Sequence, residues 1–364
     1  MKYNGRLMRG FALIRSFFSP SQPSFLILYV TNRCNFRCDF CFYHAQIEKG
    51  LRPDELTLDE FSKISEKIGP LIQLSITGGE PFMRPDLADI TGLFIENTNA
   101  AYITIPTNAS LSGRIMEYLE NVLPKYPQTY FRIVFSIDGI GDEHDLSRSQ
   151  PGSYKKIQES YAAVNPLRKK YRNLVLDSNS VFTSKSEVTL LNTVKAISRE
   201  FQFDNISITY ARGDVKVPEL KDVSAQKYLE VNGYLQNLKR TKEKRLFYPF
   251  WRAVRDVSRE YLIRGLFKGE FITPCVAGRK LLIIGENGVV RPCEILKQDM
   301  GNIRDFNYEI RKLLSWETNQ KLLRWIEDSQ CKCSFECALA ANVLWGKSSL
   351  LKLLKASIAN AGKS

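Results

Sequence analysis

From Phe25 onward, short apolar runs alternate with longer amphipathic stretches. Short runs rich in β-branched and aromatic residues read as strands, and apolar residues at helical spacing read as helices. The pattern predicts strands over 25–31, 71–77, 101–106, 130–137, 174–182 and 205–211. Helices are predicted over 57–68, 86–97, 111–122, 152–165 and 186–200. Their candidate N-caps are Thr57 or Asp59, Ser110, and Ser184 or Ser186. Strand–helix alternation builds a parallel sheet, because parallel neighbours need a crossover connection. Six such units fit a partial barrel or a doubly wound open sheet, and the alternation alone does not choose.

Three stretches depart from this rhythm. In residues 1–20, Leu7, Phe11, Ile14 and Phe18 recur at helical spacing among Arg6, Arg9 and Arg15, and Pro20 and Pro23 close the segment. This is a basic amphipathic helix that either lies in a membrane interface or packs on the barrel. Residues 215–270, basic and aromatic, read as two or three helices. No recognisable nucleic-acid module surrounds them, and nucleic acid is not expected as a partner. Near the C-terminus, Leu350, Leu351, Leu354 and Ile358 share a stripe close to Lys347, Lys352 and Lys355. Two weak anchors add where one is marginal, so peripheral membrane association is an expectation.

A chain of 364 residues with 44% apolar and 25% charged residues is globular and long enough for two domains. Its eight cysteines fall in short clusters, which suit metal better than disulfides. Arg15 cuts the N-terminal apolar run too short for an export signal, and no stretch reaches the roughly 18 apolar residues of a membrane span. The expected address is the cytoplasm, with peripheral contact at the inner membrane face as a further expectation. A net charge of +13 suits an acidic protein or an anionic surface as partner, and equally a plain solvated surface.

Candidate chemistry starts just past the first predicted strand. Cys34, Cys38 and Cys41 sit in a C-x3-C-x2-C spacing, with Phe40 directly before the third. Iron–sulfur clusters usually take four thiolates, so three leave one iron open. An open coordination position distinguishes a working metal site from a structural one, as with zinc. A zinc site would need a fourth ligand, for which His44 is the near candidate.

The spacing and aromatic resemble the radical S-adenosylmethionine (radical SAM) family. The resemblance implies a [4Fe-4S] cluster on Cys34, Cys38 and Cys41, with SAM chelating the open iron and yielding a 5′-deoxyadenosyl radical on reduction. It also implies a partial (β/α)6 TIM barrel over 25–214. Chemistry in parallel βα barrels sits past the C-terminal strand ends. There the second predicted strand runs into Gly78-Gly79-Glu80-Pro81, similar to the family element that holds the SAM amino group. Asn108, and Ser136 with Asp138, end the third and fourth strands. His144, Asp145 and Arg148 resemble a family H-D-x-x-R run. Phe40, Gly78, Gly79, Glu80, Asn108, Ser136, Asp138 and Arg148 are thus the expected SAM-binding residues, although Arg148 serves equally to brace its loop. At the sixth strand end, Arg212 is expected to pair with Asp214.

Cys275 precedes an apolar strand at 281–284, the turn Glu286-Asn287-Gly288 and Cys293. Gly301-Asn302-Ile303 and the cluster Cys331, Cys333, Cys337 follow. This order resembles SPASM and twitch extensions of radical SAM enzymes. It implies a small twitch-like domain of β-hairpin plus helices over 271–340, carrying one auxiliary [4Fe-4S] cluster. Cys275, Cys293 and Cys337 are the expected ligands, with Cys331 or Cys333 as the fourth; a zinc knuckle is the other possibility. The remaining divisions are 1–24, the helical linker 215–270 and the tail 341–364.

The resemblance implies a radical SAM enzyme of oxidoreductase or epimerase type, fed by flavodoxin or ferredoxin. The expected substrate is a carbohydrate-like small molecule or a lipid-linked one. A peptide-maturing enzyme is the first alternative, and a non-catalytic iron–sulfur scaffold at the membrane surface the second.

Overall fold

The computed structural model describes residues 19, 22–50, 53–238, 248–346 and 349–361. The expectation of an N-terminal helix over 1–20 falls almost wholly outside the described residues. The six predicted strands form as β1 (Phe25–Tyr29), β2 (Gln73–Thr77), β3 (Tyr102–Thr107), β4 (Tyr130–Ser136), β5 (Leu174–Phe182) and β6 (Asn205–Tyr210). Between them run α1 (Leu58–Ile68), α2 (Leu87–Thr98), α3 (Ser112–Lys125), α4 (Ser153–Val164) and α5 (Leu190–Glu200). The six strands pair in parallel in chain order. A doubly wound sheet would reverse its order at a switch point; here the order runs unbroken, as in a partial barrel.

Local sequence explains where helices begin. Before α1 the Thr57 side chain accepts from the Glu60 N–H while the Glu60 carboxylate accepts from the Thr57 N–H, a capping box. Phe61, Ile64, Ser65 and Ile68 then turn one face inward. α3 starts after Leu111 without a side-chain cap, because the Ser110 hydroxyl bonds Asn108 Oδ1 at 2.7 Å instead. α5 starts at Leu190 rather than 186, since the Ser186 hydroxyl accepts from the Thr183 N–H at 3.0 Å. Local side-chain bonds of this kind compete with helix initiation.

Past the barrel come α6 (Ala225–Asn237) and α7 (Tyr248–Lys268), the helices expected over 215–270. The hairpin forms as β7 (Leu281–Ile284) and β8 (Val290–Arg291), turning at Gly288 with φ +84°. β7 does not stand apart. It pairs in parallel with β1, Phe25 opposite Leu281, so one eight-stranded sheet runs β6-β5-β4-β3-β2-β1-β7-β8. All five residues of β1, between β2 and β7, are buried.

α8 (Glu317–Asp328), α9 (Glu336–Trp345) and α10 (Leu350–Ala361) complete the chain. Arg304 fastens this region to the barrel by donating to both Glu60 carboxylate oxygens at 2.5 and 3.0 Å. α10 lies against α7, where Lys352 pairs with Glu260 and Tyr261 Oη meets Ser349 Oγ at 3.1 Å. The predicted stripe Leu350, Leu351, Leu354 and Ile358 is exposed, while Leu353 is buried.

Candidate active site: the cysteine loop and its cavity

The chain leaving β1 is held before it reaches its cysteines. Thr31 Oγ1 and the Asn32 N–H donate to Glu55 Oε1 at 2.7 and 3.0 Å. Asn32 Nδ2 donates to the Gln46 and Gly50 carbonyls at 2.9 and 2.6 Å. On the other side, the Gly79 and Glu80 N–H groups donate to the Thr31 and Arg33 carbonyls at 2.9 and 2.8 Å. A Cβ on Gly78 would stand 2.2 Å from the Thr31 oxygen, and one on Gly79 2.0 Å from the Arg33 oxygen. The paired glycines let the cysteine loop lie directly on the end of β2.

Glu80 is buried with both oxygens engaged. Oε1 accepts from Thr107 Oγ1 at 2.8 Å and the Phe82 N–H at 3.2 Å, and Oε2 accepts from the Asn108 N–H at 2.8 Å. Burial pushes its pKa up to about 7, against the pull of these donors. Asn108 Nδ2 reaches Asn35 Oδ1 at 2.9 Å, tying the third strand end to the cysteine loop.

A cavity of about 310 Å³ opens at this end of the barrel. Cys34, Cys38 and Cys41 line it, and so do Phe40, Gly78, Gly79, Glu80, Asn108, Ser136 and Arg148. Among the predicted SAM-binding residues only Asp138 stays out of the wall. Its Oδ2 takes Arg148 Nε at 2.5 Å and its Oδ1 takes the Val181 N–H at 2.6 Å. Arg148 therefore braces its loop, and it also stands 5.1 Å from the Phe40 ring and sets Nη1 3.9 Å from Cys38 Sγ. His144 is fully buried; its Nδ1 accepts from the Asp138 N–H at 3.1 Å, and burial, helped by the Arg148 cation, lowers its pKa to about 4. It is a structural histidine.

The three thiols suit a cluster. Burial pushes Cys34 up to about 12 and Cys41 to about 11, and raises Cys38 as well. Each also opposes the ionisation of the others, so only an added cation makes all three thiolates favourable together. Among the described residues no three His, Cys, Asp or Glu side chains converge on one ion, as a mononuclear zinc site requires. A cluster instead takes each thiolate on a separate iron.

The far wall of the cavity holds Arg212, Glu294 and Cys337. Arg212, just past β6, does not pair with Asp214. It donates through Nη2 to Glu294 Oε2 at 2.9 Å and through Nη1 to Glu336 Oε2 at 2.8 Å. Glu294 Oε1 also accepts from Tyr29 Oη at 3.1 Å, and Glu336 Oε1 from the Tyr210 N–H at 3.2 Å. Glu294 and Glu336 flank Cys293 and Cys337, so a carboxylate beside each late cysteine was the signal for these partners.

Residues 28–177 match the family model described as the radical SAM superfamily. The chain carries a radical SAM domain. Among curated proteins, this chain is 23% identical over 303 residues to an AdoMet-dependent heme synthase of Oleidesulfovibrio alaskensis, covering 77% of this chain and 71% of the relative. It is 31% identical over 124 residues to a GTP 3′,8-cyclase of Cyanothece sp., covering 33% of this chain and 36% of the relative. The match thus spans about a third of that cyclase's length. Among solved structures, Streptococcus suis SuiB bound to S-adenosylmethionine superposes with a TM-score of 0.58 at 16% identity, covering 88% of this chain and 72% of SuiB. anSMEcpe with bound AdoMet gives a TM-score of 0.55 at 16% identity, covering 93% and 98%. At these identities the likeness is one of fold.

Proposed function

We propose that this radical SAM enzyme abstracts hydrogen from an unactivated C–H bond of a carbohydrate-like or lipid-linked substrate, leading to oxidation or epimerisation. One observation carries this: the Cys34–Cys38–Cys41 loop and residues of the second cysteine region line a single cavity. Cys34, Cys38 and Cys41 would hold the cluster, with SAM on its open iron. When bound, these groups supply the one-electron cleavage that makes the hydrogen-abstracting species.

The chain's own residues do the rest. The Gly78–Glu80 backbone, Asn108 and Ser136 offer hydrogen bonds to SAM around the cavity. Phe40, with Arg148 behind it, presents an aromatic face. Asn179, Thr209 and Lys216 supply polar contacts for a hydroxyl-rich substrate. Cysteines of the second region would carry an auxiliary [4Fe-4S] cluster that passes electrons. The positive balance suits an acidic flavodoxin or ferredoxin as donor.

A cytoplasmic protein resting on an anionic membrane fits the exposed α10 stripe beside the exposed Lys355. No helix among the described residues is long and apolar enough to cross a membrane. A peptide substrate is the second reading: anSMEcpe has been solved with a Cp18Cys peptide and SuiB with the precursor peptide SuiA.

Anaerobic incubation of reconstituted protein with SAM and dithionite tests the proposal. The expected result is 5′-deoxyadenosine from the native chain and none from Cys34→Ala, Cys38→Ala or Cys41→Ala. Absence of that product from cluster-replete protein overturns it and favours a scaffold.

A further inference from the structure

α9 runs from one end of the barrel to the other. It begins at the cavity end, where the Glu336 carboxylate takes Arg212 and the Tyr210 N–H. It finishes at the opposite end, where the Trp345 ring stands edge-on to Phe25, the first residue of β1, with centroids 5.4 Å apart. Ten residues of helix set these two points roughly 15 Å apart. α10 starts five residues after Trp345, so it departs from the end of the barrel that faces away from the cavity.

The N-terminal sequence enters at the same place. Lys280 Nζ donates to the Ser19 carbonyl at 2.6 Å and stands 5.4 Å from the Trp345 ring. The Lys280 carbonyl accepts from the Ser24 and Phe25 N–H groups, both at 2.9 Å. One lysine thus gathers the start of β1, the end of α9 and the point where residues 1–18 join the described chain.

The two chain ends brought together here are alike in chemistry. Residues 1–20 hold Lys2, Arg6, Arg9 and Arg15, residues 347–364 hold Lys347, Lys352, Lys355 and Lys363, and neither stretch has an acid. They carry eight of the thirteen net positive charges. Each also has an apolar stripe. In the first it is Leu7, Phe11, Ile14 and Phe18. In the second, Leu350, Leu351, Leu354 and Ile358 are 48, 73, 49 and 73% exposed, while Leu353 packs inward. Cations without acids beside uncovered apolar side chains match an anionic bilayer, whose headgroups take the charge and whose acyl boundary takes the stripe. One such end binds marginally, whereas two held at one point act on the same bilayer and their affinities multiply.

We propose that the two chain ends form a single surface for an anionic bilayer at the end of the barrel opposite the cavity, so that the cavity opens away from the membrane. This rests on the function proposed above and narrows its substrate. An interfacial helix sinks about 5–10 Å into the headgroup region, and the length of α9 then keeps the cavity on the solvent side. The substrate that reaches it is the soluble, carbohydrate-like one rather than a lipid-linked one held in the bilayer.

Flotation of the reconstituted protein with vesicles reads the shared surface. Binding is expected with phosphatidylcholine vesicles containing phosphatidylglycerol, and none with phosphatidylcholine alone. Arg9→Gln and Lys355→Gln are each expected to weaken partitioning about fivefold, and together about twenty-five-fold. A double variant no weaker than either single one, or equal binding to neutral vesicles, overturns the shared surface. Native protein that stays in the soluble fraction overturns it as well; faster hydrogen exchange in α10 on deletion of residues 1–18 then assigns the stripe to the N-terminal sequence.

Hydrogen exchange of vesicle-bound protein, read by mass spectrometry, tests the orientation. Exchange is expected to slow across residues 1–18 and 350–361 and to stay unchanged at the cavity rim, residues 35–48 and 213–217. Slowing at the rim overturns the orientation and returns the lipid-linked substrate. 5′-Deoxyadenosine formation in the same samples separates the two proposals. Protein that forms it without floating strikes only the membrane surface, and floating protein that forms none strikes the parent proposal.

Discussion

Replacing Arg212 with methionine is the sharpest perturbation of the cavity's far wall. The guanidinium holds Glu294 at 2.9 Å and Glu336 at 2.8 Å, with side-chain exposures of 14%, 8% and 28% for the three residues. Its flat face lies 4.9 Å from the Phe335 ring. Methionine keeps the apolar stem and removes the charge, leaving two carboxylates with no cation between them. Breaking a buried ion pair from one side costs about 3–5 kcal/mol. The partial exposure of Glu336 lets water repay some of this, which places the loss near the lower end, about 3 kcal/mol. That is on the order of a hundredfold in the folding equilibrium.

Urea unfolding measures it as a shift in midpoint at unchanged slope. Two controls separate charge from packing. Adding Glu294→Gln and Glu336→Gln to Arg212→Met should restore more than half of the loss, because no uncompensated charge is left. The Arg212→Met deficit should also narrow as pH falls: burial raises the Glu336 pKa and the Arg212 cation opposes that rise, so without the cation the folded state binds more protons and gains as pH drops. An Arg212→Met protein within about 0.5 kcal/mol of native, or a triple variant no better than the single one, refutes the assignment of Arg212 as the electrostatic clasp.

Three further outcomes follow from the same structure. Gly79→Ala would set a Cβ 2.0 Å from the Arg33 carbonyl oxygen and force the cysteine loop off β2. The expected cost is about 2 kcal/mol from two lost backbone hydrogen bonds, with a falling iron content; full iron loading at native stability contradicts it. Burial opposes ionisation of Glu60, but hydrogen bonds from Arg304, the Thr57 N–H and Tyr308 outweigh it and lower its pKa from 4.5 to about 2. A depressed carboxylate stabilises above its unfolded pKa and loses this as pH falls through the folded one. The unfolding-midpoint gap between native and Arg304→Leu protein should therefore shrink between pH 4.5 and 2, and a constant gap rejects the linkage. Charging the exposed stripe with Leu351→Glu and Ile358→Glu should abolish flotation with anionic vesicles, and native protein that stays with the soluble fraction removes the membrane from the account.

Much of this architecture was legible because it rests on short-range rules. The six barrel strands are short runs rich in β-branched and aromatic residues, and their crossover helices follow from apolar positions at helical spacing. Capping at Thr57 could be read from four residues. What the sequence hid was commitment at a distance. Ser110 and Ser186 look like caps, yet their hydroxyls are taken by Asn108 and Thr183. Arg212 and Asp214 are two residues apart and of opposite charge, but the chain turns at Gly213 with φ +73° and Arg212 finds Glu294 and Glu336 instead. The pairing of β7 with β1 joins residues some 256 positions apart, for instance Phe25 with Leu281, which no local pattern encodes.

That distant pairing explains why the two cysteine regions share one space. Six parallel strands do not close a barrel, and the eight-stranded sheet still ends in two edges, β6 and β8. Arg212 lies just past one edge and Glu294 just past the other, so their ion pair spans the seam. Glu336 brings α9 onto the same cation. A closed barrel would fill this position with packed side chains and wall the Cys34–Cys38–Cys41 loop off from the second cysteine region. Left open and clasped by one guanidinium, the seam exposes Cys337 to the cavity that Cys34, Cys38 and Cys41 line from the opposite side. The two cysteine regions therefore share one cavity, and the residues that shape its far wall are those that hold the seam.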